Sequence, residues 1–297
     1  MNHGPPVISI DVEDWPQSSW DRGLPIRPRA ADNTRHLLEI LARAKVRTTM
    51  FVLGKFAETF PDVVREIQAA GHEIGSHGYG HVEIFKQTPA EFRDDVNRSK
   101  DFLEQLVGAP VKGYRAPDFS IVERSLWALE VLADLGFEYD SSIYPVKVSR
   151  YGIPSWPLDP RRVVLPDGRE IVELPLAAWA FAGRNWRVAG GGTHRLLPGP
   201  ISRFLAGRVL QRGPFVYYCH PYEFDSHDFQ SMEVPVPWFK RLHQGMGRKP
   251  FERRFVAFLN KLGGRSFRDL VAERTWPEYR LSASRILADQ STVASQN

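Results

Sequence analysis

The sequence predicts an α/β fold built on a parallel sheet, open or closed into a barrel. Two observations carry this. Between residues 7 and 140, short apolar runs of strand type alternate strictly with segments of helical spacing, the order expected of βαβ units. Polar residues suited to chemistry, Asp11, His77, Arg115 and Asp140, each follow a predicted strand, which is where such folds gather their functional groups. A chain of 297 residues with 42% hydrophobic content is long enough for one large core or two modest ones.

The elements follow in order. Val7 to Val12 reads as a buried strand that delivers Asp11 near its end. Leu37, Leu38 and Leu41 give helical spacing over Thr34 to Ala44, with Asn33 or Thr34 as cap. Thr48 to Leu53 is the next strand. Pro61 opens a helix with Val63, Val64 and Ile67 on its inner side, closed by Gly71 before a strand from His72 to Ser76. Thr88-Pro89-Ala90-Glu91 is a capping box with proline at the first helical position, and the helix it starts runs to Gly108. Val111 to Tyr114 is a strand, Glu123 to Leu135 a helix stopped by Gly136, and Phe137 to Asp140 a further strand. Pro166-Asp167-Gly168 marks a hairpin between Arg162 to Leu165 and Glu170 to Leu174. Ile201 to Leu210 is helical and Pro214 to His220 a last core strand. Phe251, Phe255, Phe258, Leu259 and Leu262 form the apolar side of an amphipathic helix, expected to pack on the core, with a membrane-surface role as the sharper reading. From residue 281 the chain loses periodicity and is expected to fray.

Charge and cysteine content narrow the function classes. The net charge of +4 comes from arginines spread over the second half and interspersed with acids, so the expected face is a solvated one, with at most weak attraction to anionic surfaces. No zinc-finger spacing or aromatic-basic nucleic-acid motif appears, which argues against nucleic acid as partner. Cys219 is alone, so there is no disulfide framework, and a thiol among aromatics reads as core filler. Residues 1 to 6 carry no basic-then-apolar leader and no run is long enough to span a membrane, which leads to a cytoplasmic expectation.

The most informative segment is His77-Gly78-Tyr79-Gly80-His81, in which two imidazoles four residues apart can face one divalent metal. An isolated pair of this kind is more often two satisfied histidines. Here Asp11, Glu13 and Asp14 crowd the end of the first strand, Arg115 sits in Tyr114-Arg115-Ala116-Pro117, and His220 ends the run Phe215 to His220.

Taken in order, Ser9-Ile10-Asp11-Val12-Glu13-Asp14, Ser76-His77 to His81, Arg115-Ala116-Pro117, Asp140 and Tyr218-Cys219-His220 resemble the five motifs of the polysaccharide deacetylase family, also called the NodB-homology or carbohydrate esterase 4 family. The resemblance spans residues 7 to about 225. The remainder, with Glu173-Leu174-Pro175, Gly190-Gly191-Gly192 and His220-Pro221-Tyr222-Glu223, is similar to the C-terminal extension of a subgroup encoded with bacterial exopolysaccharide machinery. The resemblance implies a distorted (β/α)7 barrel over residues 1–225, a helical extension packed on it over 226–280 and a disordered tail over 281–297. It also implies a zinc-dependent site at the strand ends and an N-acetylated oligo- or polysaccharide as substrate.

Hydrolysis of an acetamide needs a polarised carbonyl, an activated water, a base, and an acid for the leaving amine. By the resemblance, His77 and His81 supply nitrogen ligands and a carboxylate from the first strand completes the metal site. Many relatives place adjacent aspartates in the first motif, whereas Val12 stands second here and the available carboxylates are Glu13 and Asp14. Alternation along an extended strand puts Glu13 on the same side as Asp11, which favours Glu13 over Asp14. Asp11 is then the base, Arg115 the residue that holds it ionised, His220 the acid and Asp140 the partner of His220 by analogy. Asp140 reads almost equally well as a turn residue, and Glu173 and Glu223 as anchors or solvated groups. Trp156, Trp179, Trp186 and Trp238 are available to stack sugars. Two other readings of the same fold stay open, an allantoinase-like hydrolase of a small amide and a non-catalytic glycan-binding subunit.

Overall fold

The computed structural model describes residues 4–287 apart from residues 149, 231, 233 and 274. Its elements in chain order are β1 (Val7–Val12), α1 (Pro28–Ala44), β2 (Thr49–Val52), α2 (Gly54–Thr59), α3 (Pro61–Ala69), β3 (Glu73–Ser76), α4 (Pro89–Val107), β4 (Gly113–Tyr114), α5 (Ala128–Asp134) and β5 (Tyr139–Asp140). There follow β6 (Arg161–Val164), β7 (Glu170–Glu173), β8 (Ala178–Phe181), β9 (Arg184–Arg187), α6 (Gly191–Leu196), α7 (Gly199–Leu210), β10 (Val216–Cys219), α8 (Trp238–Gly245), α9 (Phe251–Leu262), α10 (Phe267–Ala272), β11 (Glu278–Arg280) and α11 (Ala283–Leu287).

The main sheet runs β10-β1-β2-β3-β4-β5-β7-β6-β11. The pairings from β10 through β7 are all parallel, which makes seven parallel strands, and the antiparallel β6 and its neighbour β11 are added outside them. Beyond β7 the chain turns back to β10, where Ala177 N donates to Val216 O at 3.2 Å, so the seven strands curl into a distorted barrel. β1 shows how the barrel is filled. Ile8, Ile10 and Val12 pack outward into the helix-lined core, whereas Val7, Ser9 and Asp11 alternate inward. The inward layer contains Phe51, Tyr139 and Val216, and Phe267 of α10 seals it, with its ring stacked on Tyr139 and its amide donating to Thr49 Oγ1.

Several sequence expectations shift. α1 starts at Pro28, five residues before Asn33 and six before Thr34, because proline supplies the first helical position; Thr34 lies inside the helix and donates to Ala30 O. The expected helix over Glu123 to Leu135 is a 3₁₀ turn, Glu123–Ser125, followed by the short α5. Its N-terminal part is tied instead by the Ser125 hydroxyl to the Ser120 and Val122 carbonyls. The α4 capping box forms as written, with Gly108 left-handed at its end (φ 65°). The hairpin of β6 and β7 also forms. The amphipathic helix α9 buries Phe251, Phe255, Phe258 and Leu259, so its apolar side is core and not membrane surface. Of the segment expected to fray, Ala283–Leu287 is helical with Ile286 buried, and residues 288–297 lie outside the described ones.

Candidate metal and catalytic site

The strand ends build the site. Because Glu13 stands two residues beyond Asp11, it stays on the inner side of β1 and reaches the two histidines that follow β3. His77 still follows the sheet, its amide donating to Val52 O at 3.0 Å. The next four residues form a loop, not a helix, with Gly78 at φ 72° and His81 at φ 61°. Left-handed backbone at a histidine is uncommon, and here it turns the second imidazole back toward the first. Asp95 of α4 pins this loop by accepting from Tyr79 N at 2.8 Å and Gly80 N at 3.1 Å.

Glu13, His77 and His81 each offer one ligand atom, and these atoms lie within 4.8 Å of one another, all buried. Glu13 Oε2 is 2.8 Å from His81 Nε2 and 3.5 Å from His77 Nε2, yet makes no aligned hydrogen bond. His77 Nδ1 donates to Arg115 O at 2.8 Å, which leaves its Nε2 lone pair facing Glu13. Burial would raise the Glu13 carboxyl, but the charge of His81 and the close approach of the His77 and His81 rings hold it well below the usual carboxylate range. An anionic oxygen and two imidazole nitrogens aimed at one point fit a divalent cation.

Asp11 lies beside this cluster. Arg115, with no exposed surface, donates from Nη1 to Asp11 Oδ1 at 2.8 Å and to Ser9 Oγ at 2.6 Å. Its Nε and Nη2 donate to the carbonyl and hydroxyl of Ser141, both at 2.9 Å, and Phe51 packs against the guanidinium. A fully buried cation held this way fixes the carboxylate it faces. On the opposite rim His220 places Nε2 3.9 Å from Asp11 Oδ2 and 3.7 Å from Glu13 Oε1. Its Nδ1 is 2.8 Å from Glu223 Oε1, and Tyr222 stacks on the ring. Burial opposes charge on His220, but the Glu223 hydrogen bond and the charges of Glu13, Glu223 and Asp11 push its pKa up to about 9. These groups floor a cleft of about 510 Å³ with Phe119, Arg150 and Tyr151 along its walls and Phe239, Lys240, His243 and Gln244 of α8 at its rim.

Two sequence-predicted residues are placed elsewhere. Asp14 falls on the other side of the strand end from Asp11 and Glu13, so it points away from the histidines. It receives the Arg27 guanidinium at 2.7 Å and the Arg27 amide at 2.9 Å, and Arg27 goes on to Asp228 at 2.7 Å. This correction removes Asp14 from the ligand set. Asp140 does not pair with His220 either. It accepts from Ser142 Oγ at 2.5 Å and sits opposite Glu173 on the neighbouring strand, with which it shares a hydrogen bond. Burial raises both carboxyls, Glu173 most, since two facing buried acids favour one of them keeping its proton.

The partner of His220 is Glu223, which sequence reasoning left as an anchor or solvated group. Arg195 Nε lies 2.8 Å from its other oxygen, and a Cβ at Gly191 would come within 2.2 Å of the carboxylate. The signal was therefore the glycine run Gly190 to Gly192 together with Glu223 three residues after His220, a spacing at which a side chain can return to its own turn. Asp95 left no comparable trace. Trp156 is buried against Tyr279, and neither Trp179, Trp186 nor Trp238 lines the cleft, whose aromatics are Trp15, Phe119, Tyr151, Tyr218, Tyr222 and Phe239. Cys219 is buried and its thiol is pushed well up by burial, which suits core packing.

Comparison with known proteins fits this geometry. The polysaccharide deacetylase family model matches residues 3–139, and a domain of unknown function, DUF3473, matches residues 141–272. The peptidoglycan-N-acetylglucosamine deacetylase of Bacillus cereus is 37% identical over 98 residues, which is 33% of this chain and 36% of that protein. The chain thus spans little more than a third of the length of the first relatives it matches. A solved structure from Mycobacterium smegmatis, described as a polysaccharide deacetylase, superposes with a TM-score of 0.61 at 21% identity, covering 95% of this chain and 94% of that one. An allantoinase superposes with a TM-score of 0.59 at 14% identity, covering 90% and 88%. The fold is therefore that of NodB-type deacetylases, and its barrel draws on both matched regions, since β10 and His220 come from the second. The first-strand carboxylates, the paired histidines and Arg115 all lie inside residues 3–139, the part of the chain that matches the polysaccharide deacetylase family.

Proposed function

We propose that this protein is a metal-dependent hydrolase that removes N-acetyl groups from a saccharide, with a bacterial exopolysaccharide or its precursor as substrate and zinc as the metal. The observation that carries the reading is the convergence of Glu13, His77 and His81 on one point, with Asp11 and His220 on two sides of it. In this reading residues 1–225 form the catalytic barrel and 226–280 its extension, and the protein works in the cytoplasm. The family and the deacetylase relatives support the N-acetyl group as target.

Glu13, His77 and His81 would hold the ion, which when bound supplies Lewis acidity for the acetyl carbonyl and the attacking water. Asp11, held in place and aimed by Arg115, takes a proton from that water as its oxygen attacks the amide carbon. His220, protonated near neutral pH, gives its Nε2 proton to the nitrogen as the carbon–nitrogen bond breaks, so that acetate and a free amine leave. Glu223 holds His220 in that orientation from the other ring nitrogen.

Acetate release from a panel of N- and O-acetylated oligosaccharides, with allantoin beside them, tests the proposal in metal-stripped and zinc-restored protein. The expected result is release from an N-acetylated saccharide only after restoration, with Asp11→Asn binding zinc but slower by about 10²–10⁴-fold. Turnover of allantoin alone, or undiminished acetate release in the stripped protein, would overturn it.

A further inference from the structure

Among the described residues, nine large apolar side chains are exposed, and all of them lie between Phe181 and Met246, none in the first 180 residues. Their distribution follows that of charge. From Leu174 to Tyr222 the sequence contains six arginines and no acid, and from Val234 to Phe251 it contains Lys240, Arg241, Arg248 and Lys249 and no acid. The densest part is α8, which buries none of its residues: Trp238 is 75% exposed, Phe239 55% and Leu242 59%, with Met246 just beyond it at 48%. Leu196 is joined to this ridge, because Arg195 beside it donates to the carbonyls of Gln244 and Met246 at 2.6 and 2.9 Å. α7, which follows at once, exposes Phe204 at 61% and carries Arg208 exposed.

We propose that this face seats on a lipid bilayer containing anionic lipid, with α8 lying in the interface. Tryptophan, phenylalanine and leucine beside lysine and arginine, on a helix with a strongly apolar side, are the composition that such a surface favours, since the rings and aliphatic chains enter the headgroup region while the cations meet lipid phosphates. The two acid-free stretches of chain, 174–222 and 234–251, supply the charge complementarity. A second copy of this chain would fit less well, because a two-fold contact through the same face sets Lys240 and Lys249 against like charges. A soluble glycan offers no hydrocarbon to cover Leu242 and Met246. The face is also tied to the cleft, since α8 contributes Phe239, Lys240, His243 and Gln244 to its rim. Docking would hold the cleft's mouth at the membrane surface, where a lipid-linked or membrane-adjacent glycan could reach it. The inference does not depend on the deacetylase reading.

Flotation of the full chain with vesicles of phosphatidylcholine alone, or with about a third phosphatidylglycerol, tests it. The expected result is binding to the anionic vesicles that weakens with salt and is small on the neutral ones. Replacing Trp238 and Leu242 together by Ser should lower the partition coefficient by about tenfold or more. Reversing Arg208 and Lys249 to Glu should lower it by at least about fivefold for each cation. Neither variant alters a residue lining the cleft, so hydrolysis of a soluble substrate should be unchanged, and this separates failure of the membrane inference from failure of the enzymatic one. Folded wild-type protein that does not float would overturn the proposal, as would binding that survives both variants. A dimer in sedimentation velocity that the Trp238 and Leu242 changes dissolve, without vesicle binding, would assign the face to self-association instead.

Discussion

His220 Nδ1 and Glu223 Oε1 are 2.8 Å apart across a single turn, and the same carboxylate oxygen accepts the His220 amide at 3.2 Å. The imidazole is thus fixed by its own local backbone, with Nε2 left to face Asp11 and Glu13. Glu223→Gln removes the charge but keeps an acceptor, so it should lower the His220 pKa from about 9 toward its ordinary value. The alkaline limb of the rate profile should then move down by about one to two pH units, with metal content unchanged. An unshifted limb would show that Glu223 only holds the loop.

Asp140 should behave in the opposite way. Because Glu173 is the carboxyl raised most and keeps the proton of the pair, Asp140 acts as acceptor, a role the amide oxygen of Asn can keep toward Glu173 and the Ser142 hydroxyl. Asp140→Asn is expected to change stability by no more than about 1 kcal/mol and to leave the alkaline limb where it is. A loss of activity matching that of Glu223→Gln, with the same change in pH profile, would restore Asp140 as the partner of His220.

Glu13 and Asp14 are neighbours with separate tasks, and metal analysis with chemical denaturation distinguishes them. Glu13→Ala should abolish stoichiometric zinc binding. Asp14→Ala should keep the metal and lower stability by about 3 kcal/mol, because it leaves the Arg27 guanidinium facing only Asp228 in a largely buried network. Zinc loss in the second variant with normal stability would put Asp14 back among the ligands.

His194 provides an acid-sensitive element away from the cleft floor. Burial among Tyr217, Phe251 and Phe258 lowers its pKa to about 4 from an ordinary 6.5. As pH falls, the unfolded chain takes up this proton first, so the contribution of neutral His194 is complete above pH 6.5 and is lost progressively as pH drops toward 4. The loss amounts to roughly 2 kcal/mol at pH 5. His194→Gln should therefore lose less stability than wild type between pH 7 and about pH 5, by that order, in denaturation followed by near-ultraviolet circular dichroism. Parallel curves for the two proteins would remove His194 as the cause.

The amino-acid sequence determined the parallel α/β order, several helix ends and many of the polar residues that converge at the strand ends, because those features are local. Alternation in β1 separates Asp11 and Glu13 from Val12, the Thr88–Glu91 capping box starts α4, and the His77–His81 spacing stands in the chain for anyone to read. Tertiary structure alone decided which polar groups share a microenvironment. Asp14 and Glu13 differ by one residue, yet Arg27 and Asp228, the latter more than 200 positions away, hold Asp14 outside the site. Asp140 and Glu173 meet only because β5 and β7 pair in register, and Phe251 turns inward because His194 of α6 and Phe224 cover it, while α8, equally amphipathic in sequence, finds no cover among the described residues. A pattern of apolar and polar residues specifies that a face will be buried or a charge compensated; the partner that does so is fixed by long-range packing, which no local spacing encodes.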